Sequence, residues 1–120
     1  MHEGVIVKSL FDIAEKSRRE ACLQEIETVK VVIGKFHQIV EEVLRMYFDL
    51  MKKDLPGFEK AVLEIEEREL KIKCKKCQEV ILLKEADFSC PSCRSIDIEV
   101  IQGNELYIES LKGKQKNKLM

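Results

Sequence analysis

The chain contains no tryptophan, only two tyrosines and five phenylalanines, and almost no imbalance of charge. Its 21 Lys and Arg meet 22 Asp and Glu, a formal net charge of −1 with thiols counted as neutral. A nucleic-acid binder is more often basic and offers rings on which bases stack, so that class starts at a disadvantage. No apolar run is long enough to span a bilayer. The N-terminus lacks the basic, apolar, then small-residue order of a secretory signal, so a cytoplasmic location is expected. No nucleophile–base pair, no motif-placed pair of carboxylates and no phosphate-cradling loop can be found, and a non-enzymatic protein is expected.

What the chain does have is a globular balance, 45% hydrophobic and 36% charged over 120 residues. That length suits one domain, or one small domain carrying a stapled insert. The insert is marked by Cys74-Lys-Lys-Cys77, twelve residues, then Cys90-Pro-Ser-Cys93. Each CxxC knuckle lets two sulfurs converge on one ion from a tight turn. Two facing knuckles complete a tetrahedron with Zn–S distances of about 2.3 Å. The spacer is slightly short for this pattern but fits a compact zinc ribbon. Two disulfides are the plain alternative, disfavoured in a cytosolic chain. Iron in a rubredoxin-like electron carrier is the other, and zinc is preferred because nothing else here suggests electron transfer. Four thiolates close the coordination sphere and leave no position for water or substrate, so the site reads as structural. Its zinc would bring the formal charge to about −3.

At the other end, Met1-His2-Glu3 holds a second coordination chemistry. The α-amine, the His2 backbone nitrogen and the His2 imidazole can close adjacent chelate rings on one ion. Cu(II) and Ni(II) favour such nitrogen-rich tetragonal donor sets. Glu3 could add a backbone nitrogen or a carboxylate. An N-terminal histidine is also commonly just exposed and idle, and on the residues alone both readings stand.

Between these ends the pattern predicts an α+β fold: two helices on a small mixed sheet, with an inserted four-cysteine zinc ribbon. Val7, Leu10, Phe11 and Ala14 recur at helical spacing and predict a first helix over about 5–21. Cys22 is read as a buried thiol and His37 as a surface residue. Val29, Val31 and Ile33 alternate and predict a strand over 25–33. Phe36, Val40, Val43, Leu44, Tyr47 and Met51 predict the apolar stripe of a second helix over about 36–53, ended by Leu55-Pro56-Gly57. Residues 61–72 read as a long strand whose alternation slips phase near Glu67–Glu69, as a bulge or bend would produce. Val80 to Leu83 and Phe88 are expected to cap the metal. Ile96, Ile98 and Val100 predict a strand leaving the ribbon, and Leu106 and Ile108 a final strand. The expected division is an α/β domain of residues 1–73 plus 102–112, a ribbon of 74–101, and a disordered basic tail of 113–120.

Taken in order, Met1-His2-Glu3, Ser9-Leu10, Val32-Ile33-Gly34, Leu63-Glu64-Ile65, the paired knuckles and Gly103-Asn104-Glu105-Leu106 resemble the HypA/HybF hydrogenase nickel-incorporation proteins. The resemblance covers the chain apart from the lysine tail. It implies a nickel metallochaperone with an α/β nickel domain and an inserted zinc ribbon. It implies a transient Ni(II) at Met1, His2 and Glu3, and a structural Zn(II) at Cys74, Cys77, Cys90 and Cys93. Its implied partners are a HypB-type nickel GTPase and the large subunit of a [NiFe] hydrogenase, with urease as the client of some members; no nucleic acid and no membrane are implied, and the chain would be a monomer or homodimer. Arg94, where the family often has glycine, and Asn104 are departures that remove no ligand. The rival reading is a zinc-ribbon module for nucleic acid or the transcription machinery, supported by Lys71, Lys73, Lys75 and Lys76 and opposed by the acidic stretch Glu64 to Glu69.

Overall fold

The computed structural model describes residues 3–84 and 88–115. In chain order these form α1 (Glu3–Glu20), β1 (Leu23–Gly34), a 3-10 turn (Lys35–His37), α2 (Glu41–Lys52), β2 (Val62–Arg68), β3 (Leu70–Cys74), β4 (Val80–Leu83), β5 (Ile98–Gln102) and β6 (Leu106–Gln115). Two three-stranded sheets result, ordered β2-β1-β6 and β4-β3-β5. The chain divides into two compact units. One holds the described residues within Met1–Val31, Ile39–Ile65 and Tyr107–Met120; the other holds those within Val32–Gln38 and Glu66–Leu106.

In the first unit, the i, i+3, i+4 spacing of Ile6, Val7, Leu10, Phe11 and Ala14 buries one face of α1. Phe11 is the hub: its ring stacks on Phe48 of α2 at 4.9 Å and meets Phe58 edge-on at 5.4 Å. Both geometries suit the ring quadrupole. Ile26, Val29 and Val31 of β1 and Leu63 of β2 add to the buried set. Two cations of α2 reach the chain entering β2, with Lys52 Nζ donating to the Ala61 carbonyl at 2.9 Å and Arg45 to that of Leu63 at 2.6 Å. The end of α1 is fastened by Arg18, which forks onto the Glu15 carboxylate and donates to the Leu23 carbonyl at 3.0 Å. The pairing holds the Glu15 carboxyl below its ordinary value, chiefly through the Arg18 hydrogen bond.

In the second unit, β3 is the central strand, antiparallel to β4 and to β5. Leu70, Ile72 and Leu83 form its core, with Ile81, Ile98 and Val100 packed around them. A close backbone crossing completes the unit. A Cβ on Gly34 would fall 1.8 Å from the Gly103 carbonyl oxygen. Gly103 itself has φ +110 and lies against Leu70, so both positions require glycine. The Phe36 amide donates to Gly103 O at 2.8 Å, and the His37 ring nitrogen Nε2 lies 2.9 Å from Asn104 O.

Several expectations change here. The second helix begins at Glu41 rather than near Phe36, because Gln38 sits in the left-handed region at φ 52 and the Phe36 amide is committed to Gly103. Phe36 and Val40 therefore leave the core stripe and are exposed. Cys22 is exposed, at φ 57 just past the end of α1. The predicted strand over 61–72 is two strands in two different sheets, and Glu69 is the break. Ile96 is exposed and precedes β5. The ribbon's sheet starts at Leu70 and ends at Gln102, wider than 74–101, since β3 supplies its centre. Residues 113–115 are strand rather than tail, with Gly113 set against the Glu25 carbonyl; residues 116–120 lie outside the described ones.

Candidate metal centre

Pairing with β4 and β5 holds β3 straight up to Cys74, and the chain then turns back through the first knuckle. The Cys74 amide donates to Glu79 O at 2.9 Å and the Gln78 amide to Cys74 O at 2.9 Å, closing the turn. The second knuckle repeats this design: the Cys90 amide donates to Ser95 O at 2.9 Å, and that of Arg94 to Cys90 O at 2.7 Å. In both, the residue after the second cysteine adopts left-handed backbone, Gln78 at φ 65 and Arg94 at φ 63. Ser92 Oγ donates to the Glu79 carboxylate at 2.7 Å and links the two turns. The Lys75 amide donates to Asp97 O at 2.9 Å.

These constraints bring together the four cysteines singled out from their spacing. All four Sγ atoms lie within 4.8 Å of one another. Cys74 and Cys93 are 3.5 Å apart, and Cys77 and Cys90 are 3.7 Å apart. A disulfide needs about 2.05 Å. A tetrahedron with Zn–S bonds of about 2.3 Å has S···S edges of about 3.8 Å. The observed separations match the tetrahedral edge, so the residues fit one thiophilic ion. Cys74 and Cys90 are buried, while Cys77 and Cys93 are exposed.

As free thiols the sulfurs would not ionise alike. The Cys77 backbone amide, 3.5 Å from Cys74 Sγ, pulls the Cys74 thiol down to about 7, helped by the Lys76 amide and Cys93 against the opposing effect of burial. The Glu79 amide favours the Cys77 thiolate, but desolvation and the three other sulfurs outweigh it and push Cys77 up to about 12. Cys93 is likewise raised: the Ser95 amide lowers it, but Cys74, burial and Cys90 prevail. Cys74 thus carries charge readily while Cys77 and Cys93 resist it, a cluster that a divalent cation would relieve.

The expected metal cap over the cysteines is not formed by Val80 and Leu82, both of which are exposed; Ile81 and Leu83 turn inward, onto Leu70 and Ile72. Backbone amides of Cys77, Glu79 and Ser95 do more for the sulfurs than any apolar lid, and only the shortness of the CxxC turns hinted at them. Of Met1, His2 and Glu3, the first two lie outside the described residues. Glu3 opens α1, and its carboxylate accepts a hydrogen bond from the Val40 amide at 3.0 Å. Among the described residues no second cluster of metal-ligating side chains occurs.

The profile of the family described as "Hydrogenase/urease nickel incorporation, metallochaperone, hypA" matches residues 1–113. The chain belongs to the HypA family. It is 34% identical over 113 residues to Hydrogenase maturation factor HypA of Moorella thermoacetica, covering 94% of this chain and 99% of that one. It is 32% identical over 111 residues to the factor of the same name from Campylobacter jejuni, covering 92% and 97%. Among solved structures it is similar to the one described as "Solution structure of the Ni metallochaperone HypA from Helicobacter pylori", with a TM-score of 0.70, 26% identity, and coverage of 97% and 100%. HypA membership makes this a nickel-incorporation metallochaperone of hydrogenase maturation with a four-cysteine metal site. No helix among the described residues is long and apolar enough to cross a membrane.

Proposed function

We propose that this chain carries Ni(II) at its N-terminus, through the Met1 α-amine, the His2 backbone nitrogen and the His2 imidazole, with Glu3 adjacent. It hands the ion on for maturation of a [NiFe] hydrogenase. The observation that carries the reading is the family match over residues 1–113, which takes in both Met1-His2-Glu3 and the four cysteines. Cys74, Cys77, Cys90 and Cys93 would hold zinc, which supplies a permanent cross-link and no open coordination position. The two sites divide the labour: one closed and slow, the other built from an imidazole and chain-end nitrogens that a competing ligand can displace.

The helices with the β2-β1-β6 sheet serve the nickel function, and the β4-β3-β5 sheet with its two knuckles is the ribbon. The receiving partners are the hydrogenase large subunit and a HypB-type nickel GTPase, which supplies the energy for a carrier that is not itself an enzyme. The protein works in the cytoplasm as a monomer or homodimer. Titration of Ni(II) into the untagged, zinc-loaded protein tests the reading against a version extended before Met1. The extension turns the α-amine into an amide, so it should weaken nickel binding while leaving zinc content unchanged. Equal binding by both forms would remove the N-terminal site.

A further inference from the structure

The β4-β3-β5 sheet buries one face and leaves the other to solvent, and the solvent face has a definite chemistry. Residues directly opposite each other in an antiparallel pair share a face. Lys71 lies opposite Leu82 on β4, and Lys73 opposite Val80. On the other side Lys71 meets Gln102 and Lys73 meets Glu99. The face therefore carries an apolar row, Val80 and Leu82, beside a cationic row, Lys71 and Lys73. Val80 is 57% exposed and Leu82 51%. At the step where the β3–β5 register shifts, Ile101 is a further exposed apolar residue, at 47%.

Two features set this face apart from an ordinary solvated one. Lysines commonly blunt the edge of a sheet against unwanted pairing, but Lys71 and Lys73 stand on the central strand, where there is no edge to protect. Among the described residues neither has an ion pair; Glu99 of β5 is the one carboxylate placed opposite them, beside Lys73, and residues 70–84 contain five lysines and one glutamate. That glutamate, Glu79, is engaged by Ser92. We propose that this face docks an acidic amphipathic segment of another protein. Its apolar side chains would cover Val80 and Leu82, and a flanking row of carboxylates would meet Lys71 and Lys73. The spacing suits such a segment, because side chains two apart on a strand are about 7 Å apart and those one turn apart on a helix about 5–6 Å. A polyphosphate backbone fits less well, since the middle of the face is aliphatic and offers no ring for a base. The proposal is independent of where nickel binds.

The test uses the full-length, zinc-loaded protein. The probe is a labelled peptide of about fourteen residues, roughly four helical turns, with leucines on one face and glutamates beside them. A scrambled peptide of identical composition and a single-stranded oligonucleotide serve as comparisons. The amphipathic peptide should bind by anisotropy and shift the amide resonances of 71–82 and 98–102. Lys71→Glu/Lys73→Glu and Val80→Ser/Leu82→Ser should each weaken it by about tenfold or more, with zinc content and the remaining spectrum unchanged. Lys71→Gln/Lys73→Gln should fall between, which keeps the test open if charge reversal unfolds the ribbon. A lysine-for-glutamate peptide should recover binding to the reversed variant. Equal binding of the scrambled peptide, preferential binding of the oligonucleotide, or no shift at 71–82 would each overturn the proposal.

Discussion

The Glu3 carboxylate, in the first turn of α1, accepts a hydrogen bond at 3.0 Å from the backbone amide of Val40, the N-cap residue of α2. Val40 has no side chain able to cap, so one helix supplies the cap of the other. A carboxylate there also complements the positive end of the α2 dipole.

Glu3→Ala should therefore destabilise the fold by about 1 kcal/mol, the usual scale of a lost cap. Glu3→Gln keeps an acceptor and should lose less. Urea midpoints of the zinc-loaded, nickel-free proteins give the comparison. Equal midpoints for wild type and Glu3→Ala would show that the contact contributes nothing.

Arg94 carries left-handed backbone at φ 63, a conformation glycine adopts without penalty. Arg94→Gly should remove a left-handed penalty of about 1 kcal/mol and raise the thermal midpoint of the zinc-loaded form. A lower midpoint would assign the Arg94 side chain a stabilising contact.

Zinc affinity should fall as pH falls. Cys77 near 12 and the raised Cys93 are protonated at neutral pH, so loading expels their protons, and Cys74 joins them once pH drops below about 7. Release of at least two protons implies a loss of about a hundredfold per pH unit. Competition with a chromophoric chelator between about pH 8 and pH 6 reads this directly. A flat profile would contradict a four-thiolate site.

Much of this architecture is legible in the sequence. The apolar spacing of α1, the alternation of Val29, Val31 and Ile33, and the paired CxxC knuckles are local signals tied to local geometry. The phase slip near Glu67–Glu69 was also visible, and it marks the passage from one sheet to the other. What failed was non-local. Nothing near Phe36 says that its amide is claimed by Gly103, far along the chain, so an apolar stripe was carried more than a turn beyond the N-terminus of α2. Val80 and Leu82, aliphatic and near cysteines, suggest a metal cap; register against β3 decides their direction, and register is invisible in so short a strand. The ring of amides that tunes the sulfurs has no side-chain signature at all.

Isothermal titration of Ni(II) into untagged, zinc-loaded wild type and His2→Ala tests the N-terminal nickel site. An imidazole must be neutral to ligate, so wild-type binding should also weaken on acidification. His2→Ala should lose specific nickel binding while its zinc content and circular dichroism match wild type. Nickel binding by His2→Ala as tight as by wild type, with zinc in place, would contradict the N-terminal site.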